Sequence, residues 1–266
     1  MPPTLAALHR AAMAALGRDG VMADLRARYV ALADAHAPVH AQNLRNWNDW
    51  VAYVYDVQLV AALVPDRAAR VVDWGGLYGH VTAILRALGF ANATNYLLDV
   101  APAYPEFQRT FDLPTLTGSD PNRLSLDDAS VDVLISSGVL EHVGEHDAGD
   151  EATVLRDIAR VLRPGGWFVC WNLPNRWSVT EWLARAARRY RHPRTYDRRR
   201  IEAALGGAGL QVVAARRHML LPGTLHRWLG WCGTPLWRFR WDDRVSRWPL
   251  LSLVARDWIV LARRGR

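Results

Sequence analysis

Lysine is absent from this 266-residue chain, so all 33 basic residues are arginine. With Ala and Arg preferred throughout, this points to a GC-rich coding sequence rather than to function. It also excludes a G-x-x-x-x-G-K-[ST] phosphate loop, whose lysine reaches the phosphates. There are two cysteines, Cys170 and Cys232, and no CxxC. That count argues against a disulfide framework or a zinc knuckle and leaves two free thiols as the expectation. No run of about 18 uncharged apolar residues exists, so no membrane-spanning helix is expected. The opening stretch, MPPTLAALHRAAMAALG, lacks the apolar centre of a signal peptide because His9 and Arg10 interrupt it. A cytoplasmic location is therefore expected.

What is present is the composition of a soluble globular protein, with 50% hydrophobic and 22% charged residues. Wholesale disorder, a collagen-like repeat and a pure coiled coil are excluded. The length fits one large domain, or one domain with an appendage. Charge is unevenly placed. Residues 1–175 hold 13 Arg against 20 acids, while residues 176–266 hold 20 Arg against 6 acids and 8 of the 13 Trp.

Apolar spacing near 3.6 predicts helices over Thr4–Leu16, Met22–Ala35 and Asn46–Val64, the last capped at Asn46 or Asn48 and ended by Pro65. From Arg70 the texture alternates. β-rich runs are Arg70–Trp74, Asn95–Asp99, Pro114–Thr117, Val131–Ser136, Trp167–Asn172, Gln211–Arg217 and Asp257–Ala262. Helical stretches lie at Gly79–Leu88, Pro102–Phe111, Glu151–Leu162 and Asp197–Ala208. Such alternation predicts a parallel sheet covered by helices on both faces. Arg163-Pro164-Gly165-Gly166 reads as a stop and turn before a strand. The segment Pro222–Leu253 carries Trp228, Trp231, Trp237, Trp241 and Trp248 among Arg227, Arg238, Arg240, Arg244 and Arg247, which read as surface arginines, and it sits between two strands. The expected division is a helical cap over 1–65, a core over 66–221, an insertion or lid over 222–253 and a final core strand over 254–266.

The run Val71-Val72-Asp73-Trp74-Gly75-Gly76-Leu77-Tyr78-Gly79-His80 takes a buried strand into a glycine-rich turn that opens a helix. Glycines let backbone approach a ligand, and the first N–H groups of a helix can meet a carboxylate. An ordinary tight turn would look the same. The dinucleotide pattern G-x-G-x-x-G fails, because Leu77 and His80 occupy the second and third glycine positions. Asp99 ends the second strand, where an acid can accept both ribose hydroxyls. Asp120 follows the third strand, where an acid can accept from an adenine amino group. The fourth strand runs from Val131 into Ser136-Ser137-Gly138-Val139-Leu140-Glu141-His142. All these residues fall beyond the carboxyl ends of the strands, where open α/β sheets bind ligands.

Together with Val161-Leu162-Arg163-Pro164-Gly165-Gly166, these stretches resemble class I S-adenosylmethionine-dependent methyltransferases of the small-molecule and lipid type. The likeness is strong over residues 68–175 and weaker over Thr195–Arg217. It departs at Leu77, where the family usually has glycine. Gly76 is expected to supply the missing backbone freedom. The resemblance implies a doubly wound, Rossmann-like seven-stranded sheet, order 3-2-1-4-5-7-6, with the seventh strand antiparallel. It implies that Gly75, Gly76 and Gly79 line the methionine end of the cofactor and that Asp73 meets its amino group. It places Asp99 on the ribose, Val100 beside the adenine, and Asp120 with the Pro121 backbone on the adenine edge.

Methyl transfer from a sulfonium is an in-line displacement in which alignment supplies much of the rate, and a base helps when the acceptor is a hydroxyl. Glu141 and His142 are the catalytic candidates, against the plainer reading that Glu141 caps a loop and His142 packs. Asn172 and Asn175 either position an acceptor or form a turn. Tyr29, His36 and His40 are expected at the surface. No metal site is expected, since Asp150 and Glu151 near His146 and Asp147 read as an acidic helix start.

The leading function is methyl transfer, expected at oxygen, to a small-molecule, sugar or lipid-linked acceptor. A scaffold whose cofactor site is weakened by Leu77 is the alternative. A nucleic-acid methyltransferase comes third, since neither [DN]-P-P-[FY] nor a Pro-Cys pair is present. Two readings stay open for the Arg- and Trp-rich end. One is a soluble lid with solvated arginines. The other is a peripheral contact with an anionic membrane that carries the acceptor.

Overall fold

The computed structural model describes residues 3–17, 20–36, 41–98, 104–145, 149–187, 192–221 and 233–265. Seven strands form one sheet: β1 (Val71–Trp74), β2 (Ala93–Leu98), β3 (Thr115–Gly118), β4 (Val131–Ser137), β5 (Leu162–Pro174), β6 (Leu210–His218) and β7 (Asp257–Arg264). Their order is β3-β2-β1-β4-β5-β7-β6, as the resemblance implied. The first five are parallel, and β7 is antiparallel to both β5 and β6.

Successive strand residues serve opposite faces. Val71, Val133, Val169 and Ile259 pack in one core with the N-terminal helices, while Val72, Leu134, Cys170 and Val260 pack in the other. Burial on both sides is why these strands read as continuous apolar runs. The second core is covered by α7 (Glu151–Val161) and α9 (Arg198–Gly207), which contribute Leu155, Ile158, Ile201 and Leu205.

The first core is closed by α1 (Leu5–Ala15), α2 (Gly20–His36), α3 (Gln42–Arg45), α4 (Trp47–Leu63), α5 (His80–Ala87) and α6 (Pro105–Thr110). Thr4 caps α1, and Asn46 caps α4 by accepting the Asn48 N–H at 3.1 Å. Tyr29 was expected at the surface, but it is fully buried. Its ring stacks on Phe111 at 3.9 Å, and its hydroxyl donates to the Tyr78 carbonyl at 3.3 Å. It thereby ties α2 to the turn after β1. His36 is exposed, and His40 lies outside the described residues.

Arg163–Gly166 forms a bulge inside β5 rather than a turn before it. Leu162 pairs with Val131 and Trp167 with Val133, so the extra residues loop out, with Gly165 at φ 77°.

Within the expected insertion, residues 222–232 lie outside the described residues, and with them Trp228 and Trp231. The rest forms α10 (Pro235–Val245) and α11 (Pro249–Leu253). A buried polar knot docks α10. Asp243 is fully buried, 3.0 Å from the Arg216 guanidinium and 3.1 Å from that of Arg247. Arg216 and His9 both reach the Tyr55 hydroxyl, at 2.6 and 2.8 Å. Elements α1, α4, β6 and α10 thus share one set of hydrogen bonds. Arg238, counted from sequence among the surface arginines, is buried and donates to the Gly233 carbonyl at 2.7 Å.

Candidate cofactor and acceptor site

The carboxyl end of β1 turns sharply into α5. Gly75 (φ 72°), Leu77 (φ 43°) and Gly79 (φ 68°) are all left-handed. The expectation for Gly76 is therefore corrected: Leu77 takes the left-handed conformation itself, at a cost of about 1 kcal/mol. Gly76 is needed for space. A Cβ there would stand 2.2 Å from Asn95 Oδ1 and 2.3 Å from Asp73 Oδ2.

Beneath Gly76 lies a polar floor. Asp73 is buried; its Oδ2 accepts the Thr82 hydroxyl at 3.0 Å, and its Oδ1 has no partner among the described residues. Burial pushes its carboxyl up to about 7, opposed by the Thr82 hydrogen bonds. Asn95, paired in register with Asp73, is also fully buried, and neither side-chain polar atom is hydrogen-bonded. Buried polar atoms left without partners are rare unless a ligand completes them. Two of these atoms, Asp73 Oδ1 and Asn95 Oδ1, are acceptors, and below a turn that excludes a Cβ they fit the ammonium end of an amino-acid-like cofactor. Asn95 was missed from sequence; an Asn inside an otherwise apolar strand was the available signal.

Asp99 and Val100 lie outside the described residues. Asp120 is exposed just past β3, and its Oδ1 accepts the Asn122 N–H at 2.8 Å, which closes the local turn. Pro121 follows it, and its carbonyl would lie 3.2 Å from a Cβ on Gly149. α4 reaches the turn through Tyr53, whose ring centre lies 4.3 Å from that of His80. Burial pushes the His80 imidazole down to about 4, so it stays neutral.

Beyond β4, Gly138 (φ 66°) leads into a single 3-10 turn, Leu140–His142. Glu141 is 1% exposed, and its Oε2 has no hydrogen-bond partner. Burial pushes this carboxyl up to about 8. His142 Nε2 lies 3.8 Å from Glu141 Oε1, and His142 Nδ1 lies 2.9 Å from Glu145 Oε2. Asn172, itself at φ 56°, also borders Gly138: a Cβ on Gly138 would be 3.7 Å from Asn172 Cβ and 3.6 Å from Glu141 Oε1. Asn175 is structural. Its Nδ2 donates to the Leu253 and Ala255 carbonyls at 2.9 and 2.7 Å.

A third residue joins Glu141 and His142. His192 brings its ring centre to 5.6 Å from that of His142, and one ligand atom from each of Glu141, His142 and His192 lies within 4.8 Å of the others. The sequence offered no spacing that connects them. Asp150 does start α7, by accepting the Thr153 N–H at 2.8 Å, while His146 and Asp147 lie outside the described residues.

Residues 22–215 match the Methyltransf_23 family, described as a methyltransferase domain. The chain belongs to this methyltransferase family. Its methyl donor is S-adenosylmethionine. A search of curated proteins finds no match. Among solved structures, a chain described as a methyltransferase, in complex with the Haloferax volcanii Trm112 methyltransferase activator, superposes with a TM-score of 0.56 at 22% identity, over 94% of this methyltransferase and 99% of that chain. A SAM-dependent methyltransferase from Thermotoga maritima gives 0.54 at 15% identity, over 80% and 89%. One from Mesorhizobium loti gives 0.50 at 19% identity, over 82% and 98%. At such identities these likenesses speak to the fold.

Proposed function

We propose that this methyltransferase methylates a hydroxyl on a lipid-linked acceptor presented at an anionic membrane surface. S-adenosylmethionine supplies the electrophilic sulfonium methyl. In this reading Gly75, Gly76 and Gly79 allow its methionine end to approach the backbone, and Asp73 and Asn95 meet its ammonium. Asp99, Val100, Asp120 and Pro121 take the ribose and adenine, as the family resemblance implies. Glu141 and His142, at the carboxyl end of β4, are the groups assigned to activate the acceptor hydroxyl. Asn172 borders Gly138 beside Glu141 and is assigned to orient the acceptor.

The observation that carries the lipid assignment is an exposed aromatic surface beside the mouth of β4 and β5. Helix α8 (Val179–Ala186) starts where β5 ends, and α11 leads into β7. Pro174 pairs with Asp257, and the Val179 N–H bonds the Val254 carbonyl at 3.3 Å, so both helices flank the carboxyl edge of β5. They expose Trp177, Trp182, Leu183, Trp248, Leu250 and Leu253, with Trp182 at 65% and Leu250 at 80%. Water-facing Trp beside arginine suits the lipid–water boundary, and arginines there attract anionic headgroups. Among the described residues no helix is long and apolar enough to cross a membrane. Supplying labelled S-adenosylmethionine with lipid extract or with water-soluble metabolites tests this reading. Label in the organic phase supports it; label only in soluble products assigns a small-molecule or sugar acceptor instead.

A further inference from the structure

His142 and His192 share an arrangement with a chemical consequence. Each has its Nδ1 engaged by a carboxylate: His142 by Glu145 at 2.9 Å, and His192 by Glu181 at 2.7 Å. A carboxylate on one imidazole nitrogen fixes the ring and makes the opposite nitrogen a better electron-pair donor, the usual support for a metal-binding histidine. For His142 that opposite nitrogen is the atom 3.8 Å from Glu141 Oε1.

Glu141 supplies the second, independent sign. Its carboxylate is almost wholly buried, with one oxygen unpartnered. An acid in that setting is costly unless a cation or donors complete it. No arginine forms an ion pair with it among the described residues; what the fold brings to it is two imidazoles.

We infer that Glu141, His142 and His192 bind one divalent cation of the zinc, cobalt or manganese class. Two imidazoles and one carboxylate form a donor set suited to those ions rather than to calcium. Ligand atoms around a tetrahedral zinc stand about 3.3 Å apart. Reaching that from 4.8 Å or less needs movements of about an ångström. The His142 and His192 side chains are 34% and 29% exposed. Three protein ligands leave a coordination position open, as in catalytic rather than structural sites. A hydroxyl bound at that position would become more acidic. Ion binding is read without cofactor or acceptor, so it stands or falls apart from the acceptor assignment.

The test is a titration of chelator-treated, full-length protein with cobalt(II), followed by visible d–d absorption. The wild type should take up one equivalent with the intensity of a low-coordinate site, and zinc should displace it stoichiometrically. His192→Ala and Glu141→Gln should each weaken cobalt binding at least tenfold. Glu181→Gln, which alters the carboxylate that engages the His192 imidazole, should weaken it about 10–100-fold. A wild type that develops no absorption at millimolar cobalt overturns the proposal, whatever the variants do. Wild-type binding that survives in a folded His192→Ala overturns it equally.

Discussion

A Cβ on Gly76 would stand 2.3 Å from Asp73 Oδ2, a distance that real Cβ atoms do not reach. Asp73 is buried and bonded to Thr82, and Asn95 blocks the other side at 2.2 Å, so neither neighbour can step aside. Gly76→Ala should therefore displace the polar floor. The expected outcome is at least a tenfold loss of S-adenosylmethionine affinity by calorimetry, with stability lowered by about 1–3 kcal/mol in urea. Unchanged affinity would remove Asp73 and Asn95 from the site.

The Asp73 carboxyl also sets a pH dependence. Burial raises it to about 7 in the ligand-free protein, so below that pH it is mostly neutral. A neutral acid attracts an ammonium poorly. Affinity for S-adenosylmethionine should rise between pH 6 and 8, by up to about tenfold per unit below the midpoint. Stability runs the other way. The folded carboxyl titrates above its unfolded value of 3.8, so its contribution is intact below pH 4 and lost as pH rises to about 7. Calorimetry at three pH values checks the binding, and Asp73→Asn should flatten the profile.

Asp243 holds the α10 segment against the rest of the protein. Asp243→Ala leaves Arg216, Arg247 and His9 facing an empty buried position. Removing one partner of such a cluster costs about 3–5 kcal/mol, and denaturant unfolding should show it. A loss below about 1 kcal/mol would mean that the apolar contacts around Phe239 dock the helix instead.

The sheet was legible because its strands are buried on both faces and its helices alternate with them, which periodicity reports directly. The glycine turn and Glu141-His142 were legible as local motifs. The role of Gly76 was not, because it depends on side chains from β1 and β2 that meet only in the folded sheet. His192 was hidden for the same reason, since 50 residues separate it from His142 and no spacing rule spans that distance. Arg238 was misplaced at the surface because charge spacing along α10 does not say which face meets Gly233. Tyr29 was misplaced because its partners, Phe111 and Tyr78, belong to other elements.

The aromatic surface of α8 and α11 makes a further expectation. The protein should co-sediment with anionic but not neutral vesicles, and added salt should release it. Trp182→Ala with Leu250→Ala should weaken this severalfold. Arg185→Glu with Arg244→Glu, both exposed arginines, should do the same while cofactor affinity holds. Wild-type protein that ignores anionic vesicles at low salt would make α10 and α11 a soluble lid.

The central claim is that the turn from Gly75 to Gly79 cradles S-adenosylmethionine although Leu77 stands where the family usually has glycine. Calorimetric titration of the wild-type protein with S-adenosylmethionine tests it most directly. One site with micromolar affinity is the expected result. No binding at millimolar cofactor, in protein shown to be folded, would contradict it.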